Sequence, residues 1–271
     1  MRWRAANRPN ANTRVFCSFN VNDPATLNKA FGVLEYMSTH DGEIGVTELG
    51  RALSLNKVTA YRLLQSLSEN GYVERGENGD RYRLTLKLWE LGNRLAGPRS
   101  LSEAALPALR QLAALSGETA YVAVLSEAEA IFLEKVDSTA AVRVHTPLGA
   151  RIPLYCGSAS KALLAFQPEA IVRKVCRRLT PMTPFTITDP DLLRADLARV
   201  RERGFATGDQ EWRVGISGIA APVRDEAGAV VAAVALSGPS ERFDTERRTA
   251  LAPQVLNAAQ EVSIRLGWRP K

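Results

Sequence analysis

The chain has 271 residues, 45% of them hydrophobic, and its 35 Lys and Arg against 29 Asp and Glu leave a net charge of +6. That length suits two domains, and that apolar content suits two packed cores. No run of about 18 uncharged apolar residues occurs, so no membrane-spanning helix is expected, and the arginines at 2, 4, 8 and 14 precede no apolar core, which argues against a secretory signal.

Cys17, Cys156 and Cys176 are scattered without CxxC spacing. Neither a disulfide framework nor a structural zinc is expected, and the setting predicted is the reducing cytoplasm. No nucleotide-binding loop is present and no cofactor is expected. The basic excess is +3 in residues 1–97 (13 against 10) and +3 in residues 98–271 (22 against 19). Bulk charge therefore does not locate a nucleic-acid surface, and local pattern has to.

Residues 1–23 read as a disordered basic tail, rich in Asn, Arg and Pro and without periodicity. A helix follows from about Pro24, with Leu27, Ala30, Phe31, Leu34 and Met37 on its buried face, ending before Asp41-Gly42. Residues 45–70 read as two short helices joined by a tight turn. Thr47 is placed to cap the first, whose stripe is Leu49, Ala52 and Leu53. Asn56 is placed to cap the second, whose stripe is Ala60, Leu63, Leu64 and Leu67. The outer face is left with Lys57, Thr59, Tyr61, Arg62 and Gln65; these, with Thr47 and Asn56 at the helix starts, are the groups expected to hydrogen-bond phosphates and base edges from a rod that fits a major groove. Residues 71–75 and 81–84 read as strands around an Asn78-Gly79 turn, a strong hairpin signal. Arg81 and Arg83 lie on the hairpin's outer face, available to the DNA backbone. An ordinary helical hairpin with a solvated face explains the two helices equally well. The added wing favours a winged helix-turn-helix over residues 24–84.

Residues 85–98 read as a linker helix with Leu84, Leu88, Leu91 and Leu95 along one side, stopped by Gly97-Pro98. Such a stripe outside a core suits dimerisation. Residues 99–271 read as an α+β domain. Helices are predicted over 102–115, 161–165, 169–179, 190–203 and 245–266. Strands are predicted over 118–126, 130–136, 140–145, 218–223 and 229–237.

Several blocks in order make the chain resemble the IclR family of transcriptional regulators. They are LNKVTAYRLLQSLSENGYVE in the first domain, and Gly149 to Ala165, Arg203 to Glu211 and Gly218 to Gly228 in the second, the last leading into Ala235 to Pro239. The resemblance implies a winged N-terminal domain, a dimerising linker helix and a GAF-like C-terminal domain that binds a small metabolite. It also implies dimers, often paired into tetramers, on palindromic double-stranded operators, with repression the commoner outcome. The family commonly has Gly where this chain has Ser160, which raises the question of a positive φ there.

The block from Gly149 through Leu154, Tyr155, Cys156, Ser158 and Ala159 places small residues ahead of a helix start. Exposed backbone N–H groups there attract anions, so a carboxylate is the natural ligand. The resemblance places the opposite wall at Asp209, Trp212, Gly218, Ile219, Ala235 and Ser237. A two- to four-carbon oxo or hydroxy acid and an aromatic acid both fit this description, and the rings of Tyr155 and Trp212 favour the larger. Two other functions are open. Ser158-x-x-Lys161 matches the dyad of a serine–lysine hydrolase, but no later K-T-G or S-D-N element supports it. Neither His40 nor His145 is marked as a catalytic base. A DNA-binding architectural protein that senses nothing would have no use for the second domain.

Overall fold

A computed structural model describes residues 25–40, 42–76, 79–94 and 96–269. The expected basic tail, Asn78 of the expected hairpin turn and Leu95 of the leucine stripe lie outside them. The chain divides into two compact units between Leu95 and Ala96.

The first unit holds α1 (Ala25–Ser38), β1 (Ile44–Gly45), α2 (Val46–Ala52), α3 (Lys57–Glu69), β2 (Val73–Arg75), β3 (Arg81–Leu84) and α4 (Lys87–Asn93). Its antiparallel sheet runs β1-β3-β2, with Tyr82 opposite both Ile44 and Arg75. Val33, Met37, Ile44, Leu49, Ala60, Leu63, Leu64, Leu67, Val73 and Tyr82 form the core. Each fully buried leucine contributes about 1.5–3 kcal/mol. The whole apolar stripe read for α3 is inside, and Asn56 caps the helix by accepting from the Thr59 N–H at 2.8 Å.

Two details differ from the sequence reading. On α1, Leu27 and Phe31 are exposed, and the buried residues are Val33 and Met37, with Ala30 and Leu34 packed partly against the core. Thr47 caps nothing, because α2 begins directly from β1. Gly45, paired with Arg81 in the sheet, is the last extended residue, and Thr47 is already helical. The α2–α3 turn is tight. Ser54 sits at φ +54°, and a Cβ on Gly50 would lie 2.9 Å from the Leu55 carbonyl oxygen, so only glycine admits that approach.

The second unit opens on α5 (Ala96–Ser116) and carries β4 (Thr119–Ser126), β5 (Glu129–Val136), β6 (Arg151–Pro153), α6 (Ser158–Leu164), α7 (Glu169–Cys176), α8 (Pro190–Arg203), β7 (Ala206–Asp209), β8 (Ile216–Arg224), β9 (Val230–Pro239) and α9 (Thr245–Arg265). The expected helix stop at Gly97-Pro98 is instead the first turn of α5, where a proline's missing N–H breaks no intrahelical bond. The sheet is antiparallel in the order β6-β5-β4-β9-β8-β7.

Helices cover both faces of this sheet. Ala120, Val122, Ile219, Ala221, Val223, Val234 and Leu236 pack with Leu109 and Val255 of α5 and α9. Tyr121, Ala123, Ala220, Ala233 and Ala235 pack with Leu163, Leu164, Leu193 and Leu197 of α6 and α8. Strands covered on two faces read as continuous apolar runs, which is why β4 and β9 were legible. The predicted strand over 140–145 has no ladder partner among the described residues. Its backbone passes as irregular loop, held by Thr119 Oγ1 donating to the Val144 carbonyl at 3.4 Å. β6 and β7, short edge strands without alternation, were not predicted.

Candidate DNA-reading face and ligand cavity

The outward face of α3 follows from its inward one. With Ala60, Leu63, Leu64 and Leu67 buried, the 3.6-residue period turns Lys57, Val58, Tyr61, Arg62 and Gln65 to solvent. Among the described residues, Arg51, Lys57 and Arg62 have no ion-pair partner, so their charge is uncommitted. Val58, 62% exposed, was not singled out from sequence; an apolar residue at a helix start suits a thymine methyl.

Other expected contacts are already engaged. Thr59 is half-buried and gives its N–H to the Asn56 cap, so neither residue's cap atoms are free. Tyr61 Oη accepts from Arg75 at 3.4 Å, and Gln65 Nε2 donates to Glu69 at 3.2 Å. Arg81 donates to the Glu43 carbonyl and to the Glu48 carboxylate, tying β3 to α2, and Arg83 pairs with Glu74 at 2.7 Å. These are surface pairs of small strength, yet they hold the wing arginines against the domain. Arg75, beside Tyr61 and 5.6 Å from the Tyr82 ring, joins the basic face and was missed.

In the second unit a cavity of about 40 Å³ lies where α6 meets the sheet. Its floor is a row across three strands: Gly208 of β7 opposite Gly218 of β8, opposite Ser237 of β9. Gly208 is dictated by the helix above and Gly218 by the adjoining strand β9. A Cβ on Gly208 would lie 2.7 Å from the Ser158 nitrogen, and one on Gly218 would lie 2.4 Å from the Leu236 oxygen. That same point above Gly218 is 3.0 Å from Ser158 Oγ and 3.1 Å from Ser237 Oγ, so two hydroxyls converge there. Ser158, Ala159 and Ser160 of α6 form one wall. Phe132, Ile152, Val144 and Thr146 form the apolar side, and Glu211 with half-buried Trp212 closes the rest.

Behind the wall is a buried ion network. Lys161, 2% exposed, pairs with Glu211 and, at 2.8 Å, with Asp196. Glu211 also accepts from the Gly157 N–H at 2.8 Å, pinning the residue that precedes α6 at φ +80°. Burial pushes the Glu211 carboxyl up, against the pull of Lys161. Burial acts on Asp196 too, but Lys161 and Arg199 outweigh it and hold that carboxyl below its ordinary value. With its ammonium committed to two carboxylates, Lys161 is no free base for Ser158, and the serine–lysine dyad is ruled out. His40 stacks on Tyr36 in the first unit and His145 is exposed on the 137–150 loop; neither adjoins a serine–aspartate pair.

Of the residues read from sequence, Ser158, Ala159, Trp212, Gly218 and Ser237 line the cavity. Leu154, Tyr155, Cys156 and Ala235 lie in the core beneath α6. Tyr155 Oη donates to the Thr180 carbonyl at 2.9 Å, so its ring is a structural wedge and no ligand wall. Burial pushes the Cys156 thiol up to about 12, leaving it unreactive. Ile219 faces the α5–α9 side, because neighbours on a strand alternate and Gly218 holds the cavity face. Asp209 alternates away likewise, accepting from Ser217 at 2.7 Å and pairing with Arg248 at 3.3 Å. Gly149 is exposed at φ +78° away from the cavity. Ser160 has no positive φ; it is helical, and the doubt raised by its side chain does not arise.

Residues 26–77 match the family model of the IclR helix-turn-helix domain, and residues 96–264 match that of the bacterial transcriptional regulator IclR C-terminal domain. The chain is 34% identical over 246 residues to the HTH-type transcriptional regulator KdgR of Escherichia coli K12, covering 90% of this chain and 93% of that one. It is 33% identical over 247 residues to the transcriptional repressor IclR of the same organism, covering 89% and 90%. Among solved structures, an IclR homolog of Microbacterium hydrocarbonoxydans complexed with 4-hydroxybenzoate superposes with a TM-score of 0.77 at 29% identity, covering 89% of this chain and 99% of that one.

Proposed function

The chain belongs to the IclR family of DNA-binding transcriptional regulators, and from that premise we propose that it represses a catabolic operon until a small organic acid enters the cavity of its second unit. The observation that carries this reading is the pairing of two features: an uncommitted basic face on α3 and a cavity where two serine hydroxyls converge over a glycine. A symmetric dimer sets two α3 helices in the major groove, reading half-sites about 34 Å apart or a multiple of that. Lys57, Val58 and Arg62 contact bases and phosphates. The second copy docks on α4, where Leu88 and Leu91 of the expected stripe are exposed together with Leu86 and Trp89.

In the cavity the ligand's carboxylate takes hydrogen bonds from Ser158 and Ser237, and its carbon end meets Phe132, Ile152 and Val144. A volume of about 40 Å³ holds only a few water-sized atoms, which favours a two- to four-carbon acid. A ring acid is the second reading, favoured by the Trp212 and Phe132 rings in the wall and by the 4-hydroxybenzoate held by the Microbacterium relative. For the ligand to matter it has to prefer one arrangement of the dimer, and a tenfold change in DNA affinity needs about 1.4 kcal/mol of coupling. Gel shifts on the protein's own promoter, with and without a panel of short and aromatic acids, test the proposal. Release of the shifted band by one class of acid is expected. A band that no acid alters would leave a DNA-binding architectural protein.

A further inference from the structure

One cavity residue has chemistry that the carboxylate seat does not use. Ser160 is 1% exposed and lines the cavity, and its Oγ meets no hydrogen-bond partner among the described residues. Buried serines in helices ordinarily return their hydroxyl to the carbonyl one turn back. Two serines of this same unit do so: Ser116 donates to the Leu112 oxygen at 2.7 Å and Ser263 to the Ala259 oxygen at 2.6 Å. Ser160 stands in the first turn of α6, where the residue one turn back, Cys156, precedes the Gly157 cap and offers no helical carbonyl, so its hydroxyl looks outward for a partner. Such a group is seldom left unpaired in a folded protein; an ordered water, an ion or a bound ligand meets it.

Ser160 is also separated from the seat above Gly218. Two residues along a helix are a rotation of about 200°, so Ser158 and Ser160 leave the axis in different directions and do not serve one oxygen. Resting on the effector reading above, we infer that Ser160 is a specificity-determining residue. Its hydroxyl bonds a second oxygen of the effector, so the acid recognised carries a hydroxyl or oxo group besides its carboxylate. An acid with a methylene or bare ring edge at that place buries the Ser160 hydroxyl still unpaired, and a site with an unmet polar group discriminates far better than one that merely adds apolar contact.

The test uses the 271-residue chain and matched pairs of probes: 2-oxobutyrate with butyrate, and 4-hydroxybenzoate with benzoate. Calorimetry on the wild type should show the oxygenated member of a pair binding about tenfold or more tighter. Ser160→Ala should erase that preference by weakening the oxygenated acid and leaving the plain one unchanged. Without ligand, Ser160→Ala should melt at the same or a higher temperature, since it removes an unpaired buried hydroxyl. Equal affinity of wild type and Ser160→Ala for the oxygenated probe overturns the assignment and leaves the cavity as the effector site. A lower melting temperature of the ligand-free variant also overturns it, by revealing a structural partner. Failure of every probe to bind wild type, with operator binding intact, removes the effector reading itself and this inference with it.

Discussion

At the scale of single residues, what matters is which charges are already spent. Arg81 and Arg83 look equivalent to Arg62 in the sequence, but the first two are held by Glu43, Glu48 and Glu74, whereas Arg62 has no ion-pair partner among the described residues. Arg62→Ala should therefore weaken operator binding by about 1–3 kcal/mol without loss of stability. Wild-type affinity in a gel-shift titration would take Arg62 off the reading face. Asp196 gives a pH prediction. Lys161 and Arg199 hold its folded carboxyl below its ordinary 3.8, so between the two values the unfolded chain binds more protons and stability rises with pH. Its contribution is complete above about pH 4 and is lost as pH falls through the folded value. Urea midpoints measured down to about pH 3 should drop less steeply for Asp196→Asn than for wild type, and parallel curves would contradict the assignment.

At the scale of elements, the cavity exists because α6 sits on glycine. The row Gly208–Gly218–Ser237 lets the start of a seven-residue helix approach the sheet more closely than any side chain permits. Gly218→Ala inserts a carbon into the point where the Ser158 and Ser237 hydroxyls meet. Effector binding by calorimetry should be abolished, and stability should fall by about 1–3 kcal/mol as the added carbon crowds the Leu236 carbonyl of β9. Retention of wild-type affinity would show that the ligand sits elsewhere. The same approach explains the buried ion network. Glu211 clamps the Gly157 N–H and the Lys161 ammonium together, so one side chain fixes both the turn before α6 and its first turn.

At the scale of the whole molecule, the two units have separate cores, and the chain divides between Leu95 and Ala96. A fragment of residues 96–271 should fold and bind the effector with the affinity of the full chain, yet shift no operator DNA. Loss of binding in a fragment that still melts cooperatively would mean that the site is incomplete without the first unit. No helix among the described residues is long and apolar enough to cross a membrane.

What the sequence determined by itself is what periodicity and local chemistry encode. The stripe Ala60, Leu63, Leu64, Leu67 fixes which way α3 faces, Asn56 fixes where it begins, and the apolar runs of β4, β8 and β9 mark strands covered on both faces. The small residues around Ser158 also lie where the structure has a cavity. Tertiary structure alone decided which of those neighbours reach it. Tyr155, Ile219 and Asp209 adjoin cavity residues in the chain, but strand alternation and the packing of α6 turn them into the core, the opposite face and the surface. Phe132, Thr146 and Glu211 reach the cavity from elements distant in sequence, and Ser160 is a buried serine whose hydroxyl no described residue meets. A side chain's direction at a site depends on the pairing of strands far apart in the chain, and no local pattern carries that register.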